Sequence, residues 1–231
     1  MKISREFSKY AREYPKFNQI QEKVAKKLIT SLRGKPKKIL DLGCGSGAIY
    51  NLLDWKPEKF VGVDFSHKML ELHPKASNVR CILGDFNDAA LFEDLLKEDF
   101  DYVVSASALQ WAEDLKSVFE HIARFDVPFS LVLFTSGTFA AVNKTAKIDP
   151  ITPSKEQVIE LAAKCLKADI EIVNYSLEFE SVRDMFKYIK KSGVSAGRNV
   201  LDYKQTKRLM DEYPLNYLEF EVVYINSFSK A

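Results

Sequence analysis

Up to about residue 135, the hydrophobic residues alternate along the chain between short continuous runs, typical of strands, and a spacing of three to four residues, typical of helices. Short apolar runs that each lead into a polar residue predict strands at residues 39–42, 59–63, 79–83, 101–104 and 128–134, and the first of these has the pattern of a buried strand. Stretches with helical spacing separate these strands, at residues 48–53, 68–72, 91–96 and 115–122. Alternating strands and helices predict an α/β fold with a doubly wound parallel sheet, in which a ligand binds at the carboxyl ends of the strands.

The composition is that of a globular chain without a membrane span. Of the 231 residues, 46% are hydrophobic and 29% are charged, and the longest apolar runs are far shorter than the roughly 18 residues that cross a bilayer. We expect one domain, no secretory signal and a monomer in the cytoplasm. The cysteines (Cys44, Cys81, Cys165) and the histidines (His67, His73, His121) have no metal-ligand spacing, so neither a disulfide framework nor a metal site is predicted.

The net charge of +2 hides an uneven distribution. Residues 1–38 carry twelve Lys/Arg against three acids, residues 183–208 carry eight against two, and the segment between them has a net charge of −10. The basic regions are either solvated helix faces or a docking surface for an acidic partner. Nucleic acid is disfavoured as a partner, because no nucleic-acid-binding motif accompanies these basic regions. The acidic segment between them would also interrupt a continuous basic surface for the phosphates.

Three of the nine glycines fall within five residues, between the first predicted strand and the helix that follows it. Gly43, Gly45 and Gly47 give the turn positive φ angles and let a ligand lie against bare backbone. The second strand ends in Asp64, which is placed to accept hydrogen bonds from both hydroxyls of a ribose. Asp85 follows the third strand, where it could accept from the amino group of an adenine.

The glycine pattern alone fits two cofactors. It can be interpreted as GxGxxA of a nicotinamide enzyme or as GxGxG of a methyltransferase. A dinucleotide brings a dianionic pyrophosphate to the turn, and Asp41 would repel it at a cost of about 1 kcal/mol or more. S-adenosylmethionine instead brings an ammonium and a sulfonium. Carboxylates at three successive strand ends therefore favour a cationic nucleoside.

The chain resembles the class I S-adenosylmethionine-dependent methyltransferases through DLGCGSG, VGVDFSHKML, GDF and FDYVVSASALQW, which occur in the expected order. Within that class it is similar to the malonyl-acyl-carrier-protein O-methyltransferases of biotin synthesis. This similarity includes FSKYAREYPKFNQIQ, the pair Gln110-Trp111, KKSG with Arg198 shortly after it, and YPLNY. Residues 124–128 and 137–142 depart from the family pattern, and the second of these segments lies where the acceptor is expected to dock.

The resemblance implies a Rossmann-like sheet of seven strands with a helical cap. Residues 169–179 and 217–227 have strand patterns, whereas residues 154–167, 182–191 and 203–212 have helical ones; Ser154 with Gln157 predicts a capping box. We expect a single methyltransferase domain over residues 1–231. It divides into N-terminal cap helices (1–33), a cofactor-binding core (34–136), cap insertions with the sixth strand (137–212) and a final strand (213–231). An apolar stripe marks the N-terminal helix: Ile20, Val24, Leu28 and Leu32.

The resemblance also implies S-adenosylmethionine as cofactor and malonyl-loaded acyl-carrier protein as partner. The residues expected to bind the cofactor are Tyr14, Asp41, Gly43, Cys44, Gly45, Gly47, Asp64, Phe65, Met69, Gly84, Asp85, Phe86 and Ser105. Those expected to contact the acceptor are Tyr14, Trp111 and Arg198, and those expected to dock the carrier protein are Lys187, Lys190, Lys191, Lys204, Lys207 and Arg208.

No dedicated catalytic base is expected, since a carboxylate acceptor is already ionised and the enzyme acts through proximity and orientation. Three alternatives remain at this point: a methyltransferase for another small carboxylate or a quinone-like acceptor, a dinucleotide-dependent oxidoreductase, and a cofactor-binding protein without catalysis.

Overall fold

Seven strands form one sheet at the centre of the computed structural model, which describes residues 18–191 and 201–228. They are β1 (Lys38–Leu42), β2 (Lys59–Asp64), β3 (Val79–Leu83), β4 (Tyr102–Ala106), β5 (Phe129–Phe134), β6 (Ala168–Glu178) and β7 (Tyr217–Ser227). Their order is β3-β2-β1-β4-β5-β7-β6, with β1 to β5 parallel and β7 antiparallel to both β5 and β6. The predicted mostly parallel, seven-stranded Rossmann-like sheet is confirmed.

Helices cover both faces of the sheet. In chain order they are α1 (Gln19–Thr30), α2 (Ala48–Leu52), α3 (His67–Leu72), α4 (Ala89–Leu95), α5 (Leu115–Ala123), α6 (Ala140–Ala146), α7 (Lys155–Cys165), α8 (Val182–Lys191) and α9 (Tyr203–Glu212). One apolar core lies between the sheet and α4, α5 and α7, and the other lies between the sheet and α1, α2, α6, α8 and α9. Among the described helices, none is both long and apolar enough to cross a membrane.

The predicted apolar stripe attaches α1 to the sheet. Ile20, Val24 and Leu28 are completely buried, and α1 packs against β4, β5 and α2. Leu32 lies beyond the end of the helix and is partly buried against the same core. Each of the three fully buried side chains contributes about 1.5–3 kcal/mol through its removal from water. The stripe therefore holds the opposite, polar side of α1 near the carboxyl end of the sheet.

The predicted capping box of α7 is present. Ser154 Oγ accepts a hydrogen bond from the Gln157 amide at 3.2 Å, and Gln157 Oε1 accepts one from the Ser154 amide at 2.9 Å. Residues 137–212 divide between the two faces of the sheet, because α7 packs against α5 whereas α6 and α8 both contact α9 on the other face.

Two short elements were not predicted from the sequence. These are α6 and a single 3₁₀ turn at Leu109–Trp111. Both ends of α6 are in the left-handed conformation, at Phe139 (φ 58°) and Lys147 (φ 54°), and no side chain caps its N-terminus. A helix of two turns without a polar N-cap lacks the usual starting signal in the sequence.

Candidate active site

The glycine-rich turn joins β1 to α2 and folds against β2. The amides of Gly43 and Cys44 both donate to the carbonyl of Val63, at 2.8 and 3.0 Å. Gly43 has φ 78°, and a Cβ atom there would lie 2.1 Å from the Cβ of Ala108. Only glycine fits this position, since any side chain would be strained and would collide with the connection after β4.

A cavity of about 320 Å³ opens at the carboxyl ends of β1, β2 and β4. The glycine turn forms its floor, the connections after β2 and β4 form two walls, and α1 covers it with Asn18, Gln21, Glu22 and Ala25. This is the edge of the sheet where the sequence predicts a ligand. Its volume is at the lower end of the range for small-molecule sites.

The cavity is lined by acids. Asp41, Asp64 and Glu22 contribute carboxylates, whereas the described lining contains no lysine, arginine or histidine. Glu22 lies on α1 and forms an ion pair with Lys26 at 2.6 Å, in which both side chains are about half exposed. Such a lining disfavours the pyrophosphate of a dinucleotide and suits a ligand that carries positive charge.

Asp41 is the most buried of these acids, with 1% of its surface exposed. Neither of its carboxylate oxygens has a hydrogen-bond partner among the described residues. Burial is the main cause that raises the pKa of Asp41 from 3.8 to about 8, and the negative charge of Asp64 acts in the same direction. A buried carboxylate without a partner is costly, and an ammonium group in the cavity would supply both the charge and the hydrogen bonds that it lacks.

Asp64 is held in place by backbone amides. Its Oδ2 accepts from Gly45 at 2.9 Å and its Oδ1 accepts from Ser66 at 2.8 Å. Burial raises the pKa of Asp64 to about 6, although these two hydrogen bonds lower it. Each oxygen keeps a further lone pair, so the carboxylate is oriented and can still accept from the two hydroxyls of a ribose.

The other predicted cofactor residues divide into two groups. Gly43, Cys44, Gly45, Phe65 and Met69 line the cavity together with the two aspartates, whereas the lining does not include Gly47, Gly84, Asp85, Phe86 or Ser105. Burial raises the pKa of the Cys44 thiol well above its usual range, so it remains a neutral packing group.

Ser105 and Asp85 have partners within the protein instead. Ser105 is completely buried and its Oγ donates to the carbonyl of Leu42 at 2.6 Å, which joins β4 to β1. The Oδ1 atom of Asp85 accepts from the backbone and side-chain amides of Asn87, at 2.9 and 2.8 Å. A predicted strand end locates these residues along the chain but does not show which side chains face the ligand.

Of the predicted acceptor residues, Trp111 lines the cavity and is 8% exposed. Tyr14 and Arg198 lie outside the described residues, so their predicted roles remain predictions. Neither the polar residues of α1 nor Ala106–Ala108, at the end of β4 and in the connection that follows it, were predicted from the sequence to line the site. The polar side of an amphipathic helix usually faces solvent, so Gln21 and Glu22 carried no sequence signal of a site.

The predicted docking residues lie on α8 and α9. Lys187, Lys204, Lys207 and Arg208 are exposed, while the side chains of Lys190 and Lys191 lie outside the described part of the structure. Arg208 Nε pairs with Glu212 at 2.7 Å within α9. This pair partly offsets the charge of Arg208 on the predicted docking surface.

Comparisons with known proteins agree with this geometry. A family model described as "Methyltransferase domain" matches residues 34–210. The malonyl-[acyl-carrier protein] O-methyltransferase 2 of Ilyobacter polytropus is 28% identical, over 98% of this chain and 94% of that protein.

Two solved structures share the fold. The YcgJ protein of Bacillus subtilis superposes with a TM-score of 0.59 at 16% identity, covering 88% of this chain and 97% of that one. Phosphoethanolamine N-methyltransferase 2 of Haemonchus contortus was solved in complex with S-adenosyl-L-methionine. It superposes with a TM-score of 0.53 at 15% identity, covering 90% of this chain and 52% of that one. Since the family model spans most of the chain and the acid-lined cavity suits its cationic cofactor, the protein belongs to the methyltransferase domain family and is an S-adenosylmethionine-dependent methyltransferase.

Proposed function

We propose that the protein methylates the free carboxylate of a malonyl group carried as a thioester on acyl-carrier protein. The proposal is supported by the malonyl-[acyl-carrier protein] O-methyltransferase of Ilyobacter polytropus, which aligns along nearly the whole of both chains. A related enzyme of the same description in Halorhodospira halophila is 26% identical over 96% of this chain and 85% of its own length.

The observation that carries the proposal is that the described lining offers no base besides carboxylates that have another assigned partner. The lining has no histidine, lysine or tyrosine, and Glu22 is paired with Lys26. Asp41 is the partner that we assign to the cofactor's ammonium, and Asp64 is bonded to Gly45 and Ser66. Such a site suits an acceptor that is already ionised at neutral pH, and a carboxylate with a reference pKa near 4 is such a group.

In this mechanism the chain positions its reactants and excludes water. The bound cofactor supplies an electrophilic methyl group on a sulfonium. Asp41 would hold the methionine ammonium and Asp64 the ribose hydroxyls, on either side of the sulfonium, and the turn around Gly43 would let the cofactor lie against the backbone. Trp111 and α1 line the cavity and would shield bound reactants from part of the solvent. An ionised carboxylate carries no proton on its reacting oxygen, so the chain would need no residue to remove one.

Orientation of this kind lowers the barrier by about 7–11 kcal/mol when the reacting atoms are held roughly 3–3.5 Å apart in line. Arg198 and Tyr14 are the residues that we propose to orient the malonyl carboxylate from outside the described part of the chain, as an arginine fork matches a carboxylate with two hydrogen bonds.

Mass spectrometry of malonyl-acyl-carrier protein incubated with the enzyme and S-adenosylmethionine tests the proposal. We expect a mass gain of one methylene on the carrier protein. Acetyl-acyl-carrier protein, which has no free carboxylate, is the matched control and should gain nothing. Cofactor binding without any mass gain on the malonyl carrier would reject this acceptor, and the same assay on other small carboxylates and on quinones would then identify the alternative.

A further inference from the structure

One side-chain amide joins two of the connections at the carboxyl edge of the sheet. Asn87 lies in the connection between β3 and α4, and its Oδ1 atom accepts a hydrogen bond from the backbone amide of Glu113 at 2.8 Å. Its Nδ2 atom donates to Asp85 Oδ1 at 2.8 Å, and its own backbone amide donates to the same oxygen at 2.9 Å. Glu113 lies in the connection between β4 and α5, so Asn87 forms a bridge between distant segments.

The chemistry of the two partners explains why the bridge is an asparagine. The Asp85 carboxylate can only accept a hydrogen bond, whereas the backbone amide of Glu113 can only donate one. The side chain between them must therefore offer a donor and an acceptor on one short group, as an asparagine amide does. An aspartate at position 87 would face Asp85 with a second negative charge, and an aliphatic side chain would bond to neither partner.

The bridge lies behind one wall of the cavity. Strands β2 and β1 separate β3 from β4 in the sheet, so the two connections meet across the carboxyl ends at which the cavity opens. Phe86, next to Asn87 in the chain, is 4% exposed and belongs to the same apolar core as Ala108 and Trp111, which line the cavity. The bridge therefore fixes the segment against which this wall packs.

The connection after β4 is held to neighbouring elements on both sides of Trp111. Before it, the Ser107 amide donates to the carbonyl of Val132 on β5 at 2.8 Å. After it, the Glu113 amide donates to Asn87. The first of these bonds joins two backbone groups, whereas the second depends on a single side chain. A substitution at Asn87 therefore releases one end of the segment that carries Trp111.

We propose that Asn87 is a positioning residue of the cofactor cavity, which holds the connection after β4 so that Ala108 and Trp111 form a fixed wall. Asn87 is not part of the described lining, so it acts through the connection that it holds. The inference goes beyond the proposed function, because it does not depend on which acceptor is methylated.

Asn87→Ala in a Trp55→Phe background tests the proposal, since Trp111 is then the remaining tryptophan of the two in the chain. We expect the Kd for S-adenosylhomocysteine, measured by calorimetry, to rise about 3- to 10-fold, the range that the loss of a hydrogen bond between uncharged groups gives. Quenching of Trp111 fluorescence by acrylamide should increase about twofold or more, because the backbone that follows the ring opens more often.

Asn78→Ala in the same background is the matched control. The Nδ2 atom of Asn78 also joins two connections, by donating to the Pro57 carbonyl at 2.9 Å, but these precede β3 and β2 at the opposite edge of the sheet. Asn78→Ala should lower the free energy of unfolding, measured by chemical denaturation, without changing the Kd or the quenching of Trp111.

Asn87→Asp separates the two bonds of the side chain. It keeps an oxygen for the Glu113 amide but places a second carboxylate against Asp85. Relative to the wild type at the same salt concentration, its Kd should therefore fall about twofold or more between about 0.05 and 0.5 M salt, since salt screens the repulsion. Asn87→Ala should show no such recovery.

Four results would overturn the assignment. Wild-type affinity in Asn87→Ala would show that the wall does not depend on the bridge. Weaker binding with unchanged quenching of Trp111 would show that Asn87 acts on Asp85 and not through the connection after β4. Equal changes in Asn78→Ala would assign the effect to a general loss of stability. An Asn87→Asp protein that does not respond to salt would remove Asp85 from the bridge.

Discussion

Asp41→Asn removes the ability of a buried side chain to ionise while keeping its size and shape. In the ligand-free protein the pKa of Asp41 is raised to about 8, chiefly by burial, so the carboxyl is mostly protonated at pH 7. The cofactor's ammonium pairs with the ionised form. Binding below pH 8 must therefore release the Asp41 proton, and the measured affinity should increase as the pH rises.

The size of this effect follows from the ionised fraction of Asp41. With a pKa of about 8, that fraction increases about 20-fold between pH 6.0 and 7.5, and the association constant should increase in proportion. Asp64, whose pKa is raised to about 6, adds at most about a further twofold near pH 6. In Asp41→Asn, the part of the change of affinity with pH that comes from the ionisation of Asp41 disappears. The affinity at pH 7.5 should decrease by about 2–5 kcal/mol, because the ligand's ammonium is left without its buried partner.

Isothermal titration calorimetry with S-adenosylhomocysteine at pH 6.0, 6.5, 7.0 and 7.5 measures both quantities. Repeating the titrations in buffers of different ionisation enthalpy counts the protons released. Asp54→Asn is the control, since Asp54 is exposed and pairs with Lys35 at the protein surface. An affinity of the wild type that does not change with pH, or an Asp41→Asn protein that binds as tightly as the wild type at pH 7.5, would refute the pairing of Asp41 with the ammonium.

Three further predictions concern the turn, the surface and stability. Gly43→Ala should lower the free energy of unfolding by about 2–4 kcal/mol, through backbone strain and the collision of its Cβ atom with Ala108. Gly34→Ala is the control, since Gly34 has a similar φ but open space around it, and should lower the free energy of unfolding by about 1 kcal/mol. Chemical denaturation measures both values. The double variant Lys204→Glu, Lys207→Glu should raise KM for the carrier-bound substrate about tenfold and make that KM less dependent on salt, without changing the affinity for the cofactor. If the variant and the wild type had the same KM and the same salt dependence, α9 would be rejected as the docking surface. The ligand-free wild type should lose stability as the pH rises from about 4 to 8, since the folded state keeps the Asp41 proton that the unfolded chain releases. Denaturant melts of Asp41→Asn should lack the decrease between about pH 6 and 8 and keep the smaller decrease below about pH 6 that Asp64 contributes.

The sequence predicted the fold well because its signals are local and repeated. Five strand runs, the three glycines and the stripe on α1 each depend on spacing along the chain. The structure forms all five strands and the glycine turn, although β3 at the edge of the sheet has no buried residue and Leu32 lies just past α1. The sequence also located Asp41 and Asp64, since a carboxylate inside or at the end of a buried strand is seldom retained unless it meets a partner or a ligand.

The remainder of the site depends on contacts between distant segments. Asp85 and Ser105 were expected in the cavity because they follow strands, but side-chain direction and local hydrogen bonds turn them towards Asn87 and Leu42. Conversely, Glu22 on α1 reaches the cavity only because the opposite side of its helix packs on β4 and β5. No spacing within the sequence reports the angle at which a helix crosses a sheet.

The position of β7 has a consequence for the way the protein folds during synthesis. Although it follows β6 in the chain, β7 lies between β5 and β6 and pairs along its full length with β6. The parallel strands β1 to β5 can pair while the chain is still leaving the ribosome. Strand β6, which has no neighbour in the described sheet other than β7, cannot join the sheet until β7 has also left the ribosome.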